Sequence, residues 1–164
     1  MRGMAMAYEQ GELFAKASDK EIEETEFYLE RYRDMILFIE DFNGFQSEMA
    51  QVAIDGEVAR RLSADELYAD KTANAVILTE KQKWMYERYR VYTFMIFRAY
   101  NLIPHQGIKK VIKARFIEGH NRSNTILFTY ASGSTVDRYI ERGTKMIANS
   151  LVQMGFFDEI LKRN

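Results

Sequence analysis

A chain of 164 residues has room for one domain or two small ones, and 47% apolar residues are enough to build a core. There is no cysteine, which excludes disulfides and thiolate metal sites. The formal net charge of −1 conceals an uneven distribution: residues 1–80 carry 8 Lys or Arg against 18 Asp or Glu, and residues 81–164 carry 15 against 6. That asymmetry fits a C-terminal half that faces a polyanion. The longest apolar run, around residues 91–97, is too short to span a bilayer and is broken by Thr93. Residues 1–10 lack a sustained apolar core, so no signal peptide is read and a cytoplasmic location is expected.

The first element in chain order is a helix over residues 19–42. Ser18 and Glu21 have capping-box spacing, and Asp19, Glu21, Glu23 and Glu24 suit the positive end of the helix dipole. Ile22, Thr25, Leu29, Tyr32, Ile36 and Ile39 step by three and four, and Tyr28, Met35, Phe38 and Phe42 widen the apolar face. A stripe of that length packs in a bundle or against a second copy. Asn43-Gly44 is expected to end it. Shorter helices follow at 45–54, 57–62 and 64–69, with a break at Asp55-Gly56 and a second capping box at Ser63 and Glu66. The acidic residues Asp55, Glu57, Asp65 and Glu66 fit no calcium-loop spacing.

Residues 71–78 read as a hinge between halves. A basic helix over 80–102 comes next, capped by Thr79 and Gln82, with Lys81, Lys83, Arg88, Arg90 and Arg98 on it. Met85, Tyr89, Tyr92, Ile96, Ala99 and Ile103 form its stripe, Trp84 and Phe97 add a second apolar face, and Pro104 stops it. A support helix is expected at 108–118. Ile108, Val111, Ile112 and Phe116 point inward, Lys109, Lys110 and Lys113 outward, and Gly119 closes it. The short helix 124–130 is expected to lock onto it through Ile126, Leu127 and Tyr130.

The turn Ala131-Ser132-Gly133 introduces the long helix 133–154, with Ser132 as its N-cap. Val136, Ile140, Gly143, Ile147, Leu151 and Met154 lie on one stripe. Ser134, Thr135, Asp137, Arg138, Glu141, Arg142 and Lys145 lie on the other face. Such a helix suits the major groove, with its first turns at base edges and its basic residues at phosphates. Gly155 is a C-cap candidate, and Phe156, Phe157, Ile160 and Leu161 form a last apolar turn.

The segment Ser132-Gly133-Ser134-Thr135-Val136-Asp137-Arg138 resembles the "S-x-S-T-V-x-R" start of recognition helices in sigma factor region 4 and its relatives. The basic helix with Lys109, Lys110, Lys113 and Arg115 resembles the support of that module. Thr144–Leu151 is similar to the "A-x-x-x-L-A-x-x-L" that ends it. Asp70-Lys71-Thr72-Ala73-Asn74-Ala75 resembles a "D-P-T-x-x-A" segment of phage regulators, with Lys71 in place of proline. Together, from about residue 70 to 151, the chain resembles the ArpU/RinA-type phage transcriptional regulators. The resemblance implies a small all-helical, sigma-like protein that switches on late or packaging genes in a bacterial host. Tyr130 departs from it, standing where such turns often have glycine, so either a less favoured backbone or a different turn is expected there. Asp137 is out of place near phosphate unless it accepts from a cytosine amino group or buttresses an arginine.

These readings converge on an all-α fold, with an N-terminal long-helix bundle followed by a C-terminal helix-turn-helix domain. Residues 1–70 are assigned to self-association as a dimer. Residues 71–164 are assigned to double-stranded DNA, with the reader at 107–151. The expected DNA-binding residues are Lys109, Lys113, Arg122, Ser132, Ser134, Thr135, Arg138, Arg142 and Lys145. RNA polymerase is a further partner left open. No catalytic constellation, metal motif or cofactor site is read: the histidines are His105 and His120 alone, and no Gly-rich phosphate loop follows a strand pattern. Two alternatives stay open at this point. One is a small terminase subunit, in which the reader usually comes first in the chain; the other is a helical adaptor that binds protein and not DNA.

Overall fold

A computed structural model describes residues 14–62 and 66–161. The fold is all-α, and the described residues contain no strand. In chain order they form α1 (Asp19–Glu30), α2 (Tyr32–Leu62), α3 (Glu66–Asn101), α4 (Gln106–Ile112), a π-helical segment (Lys113–Ile117), α5 (Arg122–Thr129), α6 (Gly133–Gln153) and α7 (Phe156–Leu161). Two compact units are present: Met1–Arg33 with Tyr92–Asn164, and Asp34–Val91. Their boundaries differ from the expected division at residue 70, and α2 and α3 each contribute residues to both.

The first unit is built around α6, which packs on α4, α1, α5 and α7. Val136, Gly143, Thr144, Ile147, Ala148 and Leu151 are its buried positions. Ile140 and Met154, expected on the same stripe, are half-buried. Opposite them, Ile108, Val111 and Ile112 of α4 are fully buried, as the spacing predicts. Tyr28, Tyr92 and Phe156 meet edge to face or tilted, with centroids 5.3–5.5 Å apart. The Ser18 capping box starts α1 as expected, and the Ala17 N–H donates to Asn149 Oδ1 of α6 at 2.8 Å.

In the second unit α2 and α3 are antiparallel. Phe42 stacks on Tyr86 at 4.2 Å, and Phe38 meets Tyr89 edge-on at 5.2 Å.

Several expected boundaries fall elsewhere. The helix over 19–42 is interrupted at Arg31, whose N–H turns back to Tyr28 and Leu29. It then runs through Asn43-Gly44 to Leu62, because the Asn43 amide oxygen accepts from Tyr86 Oη at 2.7 Å and does not cap. An isolated glycine costs a helix only about 1 kcal/mol, less than such packing returns. Asp55-Gly56 is likewise helical, with Asp55 accepting from Gln51 one turn back. The expected hinge 71–78 and the start at Thr79 lie inside α3: Glu66 to Asn101 contains neither glycine nor proline, so nothing stops the helix. The Ser63 cap lies outside the described residues. The last-turn residues Ile160 and Leu161 lie in α7, but their side chains are not described. Trp84 and Phe97 are exposed, so the second apolar face of α3 is not covered.

The support helix changes type midway. At Lys113 it becomes π-helical, with the Glu118 N–H bonded to the Lys113 carbonyl at 2.8 Å. Ala114 and Phe116 are both buried in this segment. Its end at Gly119 is as expected, with φ +79°. Upstream, His105 Nδ1 caps α4 by accepting from the Ile108 N–H at 3.1 Å.

The contact of α4 with α6 depends on Gly143. A Cβ there would lie 2.5 Å from Ile112 Cγ1, 2.6 Å from its Cδ1 and 3.0 Å from Ile108 Cγ2. Gly143→Ala is therefore expected to destabilise by about 1–3 kcal/mol through overpacking, against a helix-propensity gain of up to about 1 kcal/mol. In an Ile112→Ala background the same change is expected to cost nothing or to stabilise, because the added methyl then enters vacated space. Urea unfolding of the four proteins measures it; equal costs in both backgrounds would place the strain elsewhere.

Candidate nucleic-acid interface

Ser132 begins α6 as its sequence position suggests. Its backbone is extended, and its Oγ accepts from the Thr135 N–H at 3.3 Å. The same hydroxyl bonds to Thr135 Oγ1 at 2.9 Å. Ser132 and Thr135, both expected at DNA, are thus occupied in capping the helix. Ser134, Arg138, Arg142 and Lys145 project from the exposed face. Lys145 pairs with Glu141 one turn back at 3.2 Å. Arg138 lies 5.7 Å from the Tyr139 ring centroid. Arg138 and Arg142 have no ion-pair partner among the described residues. The two are four residues apart, about 6 Å along the helix.

Arg122, at the start of α5, is brought to this face. Its Nε and Nη2 donate to the two carboxylate oxygens of Asp137 at 2.8 and 3.0 Å. These hydrogen bonds hold the Asp137 carboxyl below its ordinary range and raise the Arg122 guanidinium above its own. Buttressing an arginine is therefore the situation of Asp137. The guanidinium passes over Gly133, where a Cβ would stand 2.8 Å from Nη2.

The remaining two expected residues are not on this face. Lys109 donates to the Asn101 carbonyl at 3.4 Å and stands over the Tyr100 ring at 5.3 Å, at the end of α3. Lys113 pairs with Glu118 at 3.8 Å. The lysine that approaches the turn is Lys110, 5.9 Å from the Tyr130 ring centroid. It was visible as an outward residue, but nothing in the spacing separated it from Lys109.

The link between α5 and α6 corrects another expectation. Asn121 caps α5 through the Asn124 N–H at 2.8 Å and starts it at Arg122, two residues early. The inward face is then Thr125 with half-buried Ile126, the Thr125 hydroxyl donating to the Asn121 carbonyl at 2.8 Å. Leu127 is 69% exposed and Tyr130 92%, so neither locks onto the support helix. Phe128 is also exposed, stacked on the His120 ring at 4.4 Å. Tyr130 takes the left-handed backbone, one of the two outcomes expected there, at φ 56°, ψ 23°.

Among the described residues no group of three or more acidic or histidine side chains converges on a point where a metal could sit, and no helix is long and apolar enough to cross a membrane. Comparison finds no matching family model, no matching curated protein and no matching solved structure.

A non-glycine residue in the left-handed region costs roughly 1–2 kcal/mol, and Tyr130 has almost no burial to offset it. Tyr130→Gly is therefore expected to stabilise by up to about 1 kcal/mol, part of the relief being lost to glycine's freedom in the unfolded chain. Tyr130→Val, β-branched, is expected to destabilise. Chemical denaturation ranks the three; a glycine variant less stable than the wild type would mean that the tyrosine ring makes a contact worth more than the strain.

Proposed function

We propose that this protein is a sequence-specific regulator of transcription that reads double-stranded DNA with α6 in the major groove, while α5 and the support helix hold it from behind. The observation that carries the reading is the exposed face of α6, where Arg138 and Arg142 have no ion-pair partner among the described residues and stand beside Ser134 and Lys145. Arginines already paired to carboxylates would have to break those pairs to meet DNA; these two do not. A major groove about 12 Å wide admits one helix with its side chains. The sigma-like opening of α6 supports reading the protein as similar to the ArpU/RinA-type phage late-gene regulators, a binder of DNA. RNA polymerase would be the partner through which such a regulator acts.

Arg138, one turn into α6, reads a base edge, for which bidentate contact with guanine is the commonest use of arginine. Arg142 and Lys145 meet flanking phosphates. Arg138→Ala is expected to cost about 1–3 kcal/mol and to relax preference at one base pair. Arg142→Ala is expected to weaken binding to all sequences alike and to lower the salt slope by about one unit. Titrations on DNA flanking the protein's own gene and on a scrambled duplex, at several salt concentrations, separate these effects. Equal binding of both duplexes by wild type and Arg138→Ala would remove the reader assignment.

A dimer would place two readers on one operator. The expected surface, the stripe from Ile22 to Ile39, is largely used within the protomer: Leu29 and Tyr32 are 1% and 6% exposed. Among the exposed apolar residues of the second unit, Leu37, Phe45 and Val52 are better placed to pair, Phe45 and Val52 being seven residues apart on one face of α2. Light scattering at micromolar concentration is expected to give twice the chain mass, and Phe45→Glu with Val52→Glu to halve it. A wild type monomeric both free and on DNA would dispose of the dimer.

A further inference from the structure

We infer that Arg122 is a positioning residue that acts through Asp137, cancelling a carboxylate on the very face of α6 that would meet DNA. The inference rests on the reading of α6 as the DNA reader. Asp137 precedes Arg138 directly and lies one turn beyond Gly133, so a groove that receives Arg138 also brings phosphates toward Asp137. An uncompensated carboxylate there opposes association most at close range, where a phosphate would approach oxygens that have no donor.

Arg122 removes that opposition by occupying both oxygens in the fork geometry, 2.8 and 3.0 Å, that only arginine offers a carboxylate. The surroundings are shaped for it. The Asn121 cap fixes the backbone from which Arg122 departs. Gly133 leaves room for the guanidinium where it now lies; a Cβ there would stand 2.8 Å from Nη2 and shift the end of the side chain. Helix stability does not explain this placement. A cation beside the first turn of a helix is disfavoured by the dipole, and an exposed ion pair adds little to folding. Both side chains are 55% exposed. What the pair does accomplish is to leave the outer face of α6 with its arginines dominant.

A different role would be direct: Arg122 as one more phosphate ligand, indifferent to Asp137. A mutant cycle distinguishes the two. Anisotropy titrations would use the full chain on duplex DNA flanking its own gene, for wild type, Arg122→Ala, Asp137→Asn and the double variant. Arg122→Ala is expected to weaken binding about tenfold, Asp137→Asn alone to change it by less than about threefold, and the double variant to return to within about threefold of wild type, a coupling within the range found for paired side chains. Restoration by Asp137→Asn only when Arg122 is absent is the signature of charge cancellation. If Asp137→Asn changes affinity by the same factor in both backgrounds, or if Arg122→Ala binds as wild type does, the inference is overturned while the DNA reading stands. A wild type that binds no duplex overturns both. Circular dichroism of each variant confirms that the helices are intact, as expected for exposed positions.

Discussion

The close approach of α4 and α6 is the constraint on which the first unit depends. Ile108, Val111 and Ile112 present a full apolar face, and α6 answers with Gly143, Thr144 and Ala148 beside Val136, Ile147 and Leu151. Small residues on one helix let large ones on the other interdigitate at native packing density. The arrangement is strict, because Gly143 has no room for a methyl group. It is also not purely apolar. The Thr144 hydroxyl is buried with no hydrogen-bond partner among the described residues, at a cost of roughly 1–3 kcal/mol. With the inner face of α6 fixed against α4, its outer face is fixed as well, since 3.6 residues per turn leave no freedom between them.

That rigid coupling is why the face of α6 was readable from the sequence. Ser132 as N-cap, Gly133 as first residue and the burial of Val136, Gly143, Ile147 and Leu151 all follow from local rules: capping chemistry and helical period. The left-handed backbone at Tyr130 has another source: it was one of two outcomes implied by the resemblance, which puts glycine at that turn position. Where boundaries moved, a tertiary contact had overruled a local signal. Asn43 resembles a stop in sequence, but Tyr86, distant in the chain, takes its side chain. The π-helical segment has no signature in residue spacing, although Ala114 and Phe116 within it are both buried. The exposure of Leu127 is a similar case: the Asn121 cap rotates α5 by starting it early, and Thr125 turns inward where an apolar residue was expected.

The site residues divide along the same line. Those on α6 point where the period puts them. Those on other elements depend on how the elements meet, and there spacing is silent. Lys109 and Lys110 are neighbours with the same charge, yet one reaches the Asn101 carbonyl at the end of α3 and the other stands over Tyr130. Arg122 was placed among direct DNA contacts, but its partner Asp137 is 15 residues away on another helix. No periodicity joins those two positions; only the turn geometry between α5 and α6 does.

Charge along the chain therefore has to be read through the fold. The acidic and basic halves of the sequence are not two bodies, since Met1–Arg33 belongs to the same compact unit as Tyr92–Asn164. Glu23, Glu26 and Glu30 are exposed on α1, and α1 packs directly on α6. Carboxylates thus stand in the same unit as the arginines, and screening at physiological salt acts over about 8 Å. Net charge over a half-chain is consequently a weak guide to what this protein attracts. The local arrangement is the better one. On the outer face of α6, Asp137 is held by Arg122 and Glu141 by Lys145, and Arg138 and Arg142 are the cations without an ion-pair partner among the described residues. An attraction for a polyanion would come from that short face and not from the C-terminal half as a whole.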